Sequence, residues 1–270
     1  MVKVVLIGCG AIGGEVIKAF KRGHLRNIEV VCLYDINPEK ALELAKILGD
    51  VSLVAKNLDE VFSRSFDVIV EAASPAAVKQ IAERAIKLNK TLVIMSSGAF
   101  LDSEFFANIC KLLEKSDARI IIPSGAIGGV DIANTLALIG GKIKLISTKN
   151  KKAFLKGKIP ENIVEKIKSS KGRVLVFSGK ASEAIKLFPT MINVGATISM
   201  AAKKDIEVEI WADPEISQTI HKIMFKSDAT TCTIEIINKH HPENPRTSYL
   251  APLSLIRTLQ KMSEKITAGT

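Results

Sequence analysis

The sequence predicts an α/β protein: a doubly wound parallel sheet in the first half, followed by an α+β domain. Three observations point there. Short β-branched runs alternate with helically spaced segments between Lys3 and Ile122, as strands do when right-handed crossovers join them. The first run ends in a glycine-rich turn, GCGAIGG, at Gly8 to Gly14. After Pro123 the texture changes to runs that alternate apolar and polar residues, IEVEIW at Ile206 to Trp211 and TCTIEII at Thr231 to Ile237, the pattern of strands with one face covered and one wet.

The elements follow in order. Lys3 to Ile7 reads as a strand, Gly13 to Arg22 as a helix and Ile28 to Tyr34 as the next strand, which makes a βαβ unit. Asn37 is placed to cap a helix that starts at Pro38 and runs to about Leu48. Phe66 to Ala72 and Thr91 to Ser96 read as buried strands around a helix from Ala76 to Leu88, and a helix from Ser103 to Ser116 leads into Arg119 to Ile122. Leu250 to Ile266 has helical spacing and is expected to pack between the domains. The expected division is a dinucleotide-binding domain at 1–122, a substrate and dimerisation domain at 123–248, and a closing helix at 249–270.

Length and composition bound the function. A chain of 270 residues, 47% hydrophobic and 24% charged, has material for two cores and no disorder signature. Its net charge of +10 suits a nucleic acid, an anionic substrate or a solvated surface alike. The basic residues are scattered, as at Lys149, Lys151, Lys152, Lys156 and Lys158, and aromatics are few, so no nucleic-acid partner is expected. Cys9, Cys32, Cys110 and Cys232 form no CxxC pair, so they read as free thiols and no metal site is expected. No apolar run approaches a bilayer's thickness. A cytoplasmic protein without membrane contact is expected.

Gly8, Gly10 and Gly13 satisfy G-x-G-x-x-G, with a strand before, a helix after, and Asp35 at the end of the next strand. In that context the pattern is the Rossmann dinucleotide fingerprint. The cradle comprises Gly8, Gly10, Ala11, Ile12 and Gly13, with the pyrophosphate at the helix N-terminus. Asp35 would accept the ribose hydroxyls and repel a 2′-phosphate, which favours NAD over NADP; Lys40 nearby could offset the repulsion. A bare glycine turn and an ordinary strand-end acid stay open as alternatives. Ligands of such sheets sit beyond the carboxyl ends of the strands, which nominates Ala73 and Ser74, Ser97 and Gly98, and the loop Pro123 to Gly129 with Ala126.

Four histidines are available for proton chemistry. His24 lies in a surface-like turn, and His240 and His241 sit in KHHPENPR, which reads as a loop. His221 begins a strand on the same face as Ile223 and Phe225, so its ring should be partly buried. There it could be a hydrogen-bonded core residue or an acid/base group. Asn193, at a helix start, could be an N-cap or a ligand of the nicotinamide end.

The GCGAIG turn, the SGAIGG loop at Ser124 to Gly129, FPTMINVGA at Phe188 to Ala196, ADP at Ala212 to Pro214 with IHKI after it, and HHPENPRTSYLAPLS together resemble the L-aspartate dehydrogenase family. The likeness runs through both expected domains; Gly195 stands where an alanine is common. It implies a homodimer that oxidises L-aspartate, a dicarboxylic amino acid, to iminoaspartate with NAD or NADP and feeds NAD biosynthesis. It also implies that His221 is the active-site histidine and that Ala126 and Asn193 contact the dinucleotide. A dihydrodipicolinate-reductase-like enzyme is the alternative within this architecture, but PENPRTSY lacks the context its paired histidines require. A non-enzymatic NAD sensor would need a docking element that no segment provides.

Overall fold

The glycine turn joins Val2–Ile7 (β1) to Ala11–Lys21 (α1), which returns the chain to Ile28–Tyr34 (β2), parallel to β1. The structure is a computed structural model that describes residues 1–155, 159–189 and 191–268; Lys156, Lys158, Thr190 of the FPTMINVGA segment, and residues 269–270 lie outside them. Pro38–Leu48 (α2) starts where Asn37 accepts the Glu39 N–H at 3.1 Å and ends at Gly49, whose φ of 85° closes the helix. Leu58–Ser63 (α3), Val68–Glu71 (β3), Pro75–Lys87 (α4), Thr91–Ile94 (β4), Ser103–Leu113 (α5) and Ile120–Ile121 (β5) complete a parallel sheet ordered β2-β1-β3-β4-β5.

Its strands are shorter than their apolar runs suggest. Phe66 to Ala72 yields only Val68–Glu71, and Arg119 to Ile122 only two residues. Past Glu71 and Ile94 the peptide N–H groups of Ala73, Ser74 and Ser96 leave the ladder and bond to the Glu71 side chain instead.

The rest of the chain forms Val130–Leu136 (α6), Lys142–Asn150 (β6), Glu161–Ser169 (α7), Val174–Lys180 (β7), Ala181–Leu187 (α8), Asn193–Ala201 (α9), Glu207–Asp213 (β8), Thr219–Lys226 (β9) and Thr231–Asn238 (β10). These five strands make one sheet ordered β10-β9-β6-β8-β7, with β6 and β8 parallel and the other pairs antiparallel. Ile143, Leu145, Val208, Ile210, Ile223 and Phe225 are buried on its inner face. The loop before α6 lies directly on that face: a Cβ at Gly129, where φ is 77°, would stand 2.7 Å from Ile234 and 3.1 Å from Phe225.

KHHPENPR is not the loop its prolines suggest. His240–His241 (β11) and Asn244–Ser248 (β12) pair as an antiparallel hairpin. Pro242 falls in the two-residue turn, where no ladder donor is needed. His241 is buried and meets the Tyr249 ring edge-on at 5.4 Å.

The chain divides into two compact units, Met1–Gly125 with Ala251–Thr267, and a second that contains Ala126–Leu250. The last helix, Leu250–Lys261 (α10), ends five residues before Ile266 and contributes Leu255 and Leu259 to the first unit's core beside Val4, Leu6 and Ile17. Among the described residues no helix is long and apolar enough to cross a membrane. Truncating Leu255 leaves a cavity in that core, so Leu255→Ala should cost about 2–5 kcal/mol, read as a lower denaturant midpoint at unchanged m-value.

Candidate active site

In the first unit the glycine turn is fixed by sterics. A Cβ on Gly8, where φ is 99°, would fall 2.6 Å from the Ala72 carbonyl, and one on Gly13 would fall 2.2 Å from the Gly8 oxygen. Neither position tolerates a side chain. Around Gly10 there is nothing within 4 Å of the equivalent point. The backbone is thus open on the side where a pyrophosphate would lie and packed on the side of the sheet, which fits a dinucleotide. Gly10 is the N-cap of α1 and brings no capping side chain, so the first N–H groups of the helix are left to an anion.

Two carboxylates hold the loops of this cradle. Asp35 accepts the Cys9 N–H at 2.8 Å on Oδ2 and the Asn37 N–H at 2.9 Å on Oδ1. Each oxygen keeps a lone pair for a further donor. Glu71, fully buried at the end of β3, accepts the N–H groups of Ala73 (2.7 Å) and Ser74 (2.8 Å) together with the Ser96 hydroxyl (2.8 Å) on Oε1, and the Ser96 N–H (3.0 Å) on Oε2. Burial pushes its pKa up, and these donors oppose the shift. Ser74 also caps α4 through the Ala77 N–H at 3.2 Å. Ser97 and Gly98 lie buried in the 3-10 turn Ser97–Leu101. Cys9 is an inert core thiol, pushed up to about 12 by burial and then by Asp35.

The second unit holds the histidine. His221, on β9, is 3% exposed, and its Nδ1 lies 2.9 Å from Ser147 Oγ on β6, its register partner. On β6, Ser147 and Lys149 continue the inner face of Ile143 and Leu145. One step further along that face Asn238 donates to the Ala126 carbonyl at 3.0 Å and accepts the Ser248 hydroxyl at 2.7 Å. Gly128 packs on Ile236, the neighbour of His221 in β10. One end of this sheet therefore gathers Ala126, Ser147, Lys149, His221 and Asn238. Asn193 is the first residue of α9, capped by Ile192, and Gly195 rests on Val208.

Burial pulls His221 down to about 3, with the Lys149 charge adding to it, and burial pulls Lys149 down to about 8. The imidazole is neutral at neutral pH. Its pairing with Ser147 leaves Nε2 as the nitrogen for a reactant, and Nε2 is an acceptor when Nδ1 carries the proton.

Sequence reasoning singled out His221, Ala126 and the glycine cradle but not Glu71, Ser147, Lys149 or Asn238. For Ser147 and Lys149 the signal was present in KIKLISTK, where two polar residues continue the parity of two apolar ones. Because the unfolded chain binds a proton at His221 first, at about 6.5, stability should fall as pH drops from there towards 3, by at most about 1.4 kcal/mol per pH unit. His221→Gln should remove that part of the slope in urea melts between pH 7 and 4.5.

Comparison with known proteins places these two units in context. Residues 132–262 match the family described as aspartate dehydrogenase, C-terminal, and residues 8–123 match that described as homoserine dehydrogenase, NAD binding domain. The L-aspartate dehydrogenases of Methanocaldococcus jannaschii and Methanosarcina barkeri are 37% and 33% identical to this chain, in each case over 100% of both sequences. The crystal structure of aspartate dehydrogenase from Thermotoga maritima superposes with a TM-score of 0.78 at 28% identity, covering 100% of each chain. The glycine cradle, the mixed second sheet and full-length likeness at this level together establish that the chain belongs to the aspartate dehydrogenase family.

Proposed function

We propose that the chain oxidises L-aspartate to iminoaspartate with NAD or NADP, and that water then converts the imine to oxaloacetate and ammonia. The buried His221–Ser147 pair beside Lys149, in a member of this family, is the observation that carries the reading. When bound, the nicotinamide supplies the acceptor for the hydride that leaves the substrate's Cα. The amine must lose a proton for that electron pair to be replaced, and His221 Nε2 is the acceptor the second unit offers. Ser147 holds the ring in one orientation through Nδ1. The same nitrogen would orient the water that attacks the imine. Iminoaspartate formed in this way would supply pyridine nucleotide biosynthesis.

The cradle of Gly8, Gly10, Ala11, Ile12 and Gly13 would hold the pyrophosphate, and the loops at Ala73, Ser74, Ser97 and Gly98 would line the rest of the dinucleotide. Ala126 and Asn193 keep the contacts that family resemblance gives them. Asp35 sits with a lone pair on each oxygen still available for the ribose hydroxyls, which favours NAD.

The purified chain should reduce NAD when given L-aspartate, followed by the absorbance of the reduced nicotinamide across a panel of amino acids and both cofactors. Loss of an acid/base group costs about 10²–10⁴ in rate, so His221→Ala should lose that much turnover while its NADH fluorescence titration stays as in wild type. Unchanged turnover would remove His221 from the reaction. Asp35→Ala should raise the KM for NAD and lower that for NADP; no change in either would contradict the ribose contact.

A further inference from the structure

Lys149 is a lysine with an unusual setting. It projects from β6 on the inner face of the second sheet, two residues beyond Ser147 and beside the buried Ala212 of β8. Its stem is partly buried. Among the described residues its ammonium takes part in no hydrogen bond and no ion pair. Lys144, on the opposite face of the same strand, is handled differently and is paired with Glu209 at 2.6 Å. The polar groups on the same face are the neutral His221 imidazole, which the Lys149 charge reaches, the Ser147 hydroxyl and the Asn238 amide, which bonds to the Ala126 carbonyl and the Ser248 hydroxyl. None of them is an anion.

A cation taken out of water without a counter-charge is costly, and the cost is recovered when an anion arrives. The substrate of the proposed reaction brings two carboxylates. We propose that Lys149 receives one carboxylate of L-aspartate and so sets the preference for a dicarboxylic amino acid, with Ser147 and His221 on the same face holding the reacting amine end. This rests on the proposed aspartate oxidation. The arriving carboxylate cancels the Lys149 charge that faces His221, so substrate binding also makes the imidazole a better proton acceptor.

The test compares the full-length wild type with Lys149→Met and Lys149→Arg. Succinate, a dicarboxylate without the amine, serves as the probe of binding alone, by calorimetry and as a competitive inhibitor. Lys149→Met should raise the KM for L-aspartate and the succinate Kd together by about thirtyfold or more, as loss of a charge-assisted contact does, with kcat within about threefold and the NADH Kd unchanged. Lys149→Arg, which keeps the charge, should recover a large part of both. If Lys149→Met does not fold, Lys149→Arg and Lys149→Gln give the same comparison.

An unchanged KM and succinate Kd would overturn the assignment, and so would a fall in kcat alone, which would make Lys149 a proton-transfer group. If the wild type fails to oxidise aspartate, the proposed function falls, while the succinate titration of wild type against variant still decides whether Lys149 is a carboxylate site.

Discussion

At the first crossover the main chain approaches itself more closely than any side chain allows, and the first unit is arranged around that approach. The Gly8 carbonyl occupies the space a Gly13 Cβ would need, 2.2 Å away, and Gly8 itself lies against the Ala72–Ala73 peptide. Helix α1 can therefore start directly on the end of β1, with its free N–H groups turned outward. Such contact strips water from loop amides that have no ladder partner, and those amides must be satisfied some other way. Asp35 and Glu71 do it, at the ends of β2 and β3, the two strands that flank β1. Their side chains replace the hydrogen bonds that the sheet stops supplying to these short irregular loops.

Glu71 shows how the balance is struck. A carboxyl group with no exposure would normally keep its proton. Here three peptide N–H groups and one hydroxyl converge on it, each preferring the ionised form. The loops after β3 and β4 are thus tied to one another through a single side chain. The second sheet uses a comparable economy: the same strand face is apolar at Ile143 and Leu145 and turns polar at Ser147 and Lys149. The packed end anchors the strand, and towards the polar end the Ala126 carbonyl accepts from Asn238.

What could be read from sequence follows from how local each constraint is. The glycine turn and the Asn37 cap act over a few residues, so spacing alone exposes them. His221 was legible through its parity with Ile223 and Phe225. Its partner Ser147 is 74 residues away on a strand that pairs with β9 only in the folded sheet, and nothing at either position announces the other. Glu71 is hidden for a related reason: a glutamate ending an apolar run looks like a solvent-facing strand end, and only the convergence of donors from Ala73, Ser74 and Ser96 makes it internal. Strand ends were misjudged because ladders stop where neighbours stop. The hairpin in KHHPENPR was missed because prolines mark a strand's turn as readily as its absence.

The choice of serine beside His221 has chemical content. An imidazole that gives and takes protons passes through states in which Nδ1 is a donor or an acceptor, and a hydroxyl serves both by rotating. A backbone carbonyl there would fix one tautomer. An aspartate would do more harm: its charge would hold the imidazole protonated, and it would pair with Lys149, filling the place of an incoming carboxylate with one that cannot leave. With Ser147 in that position His221 has a neutral partner on one side and the Lys149 charge on the other, and a carboxylate received at Lys149, as proposed above, would meet that local charge and not only the chain's overall +10.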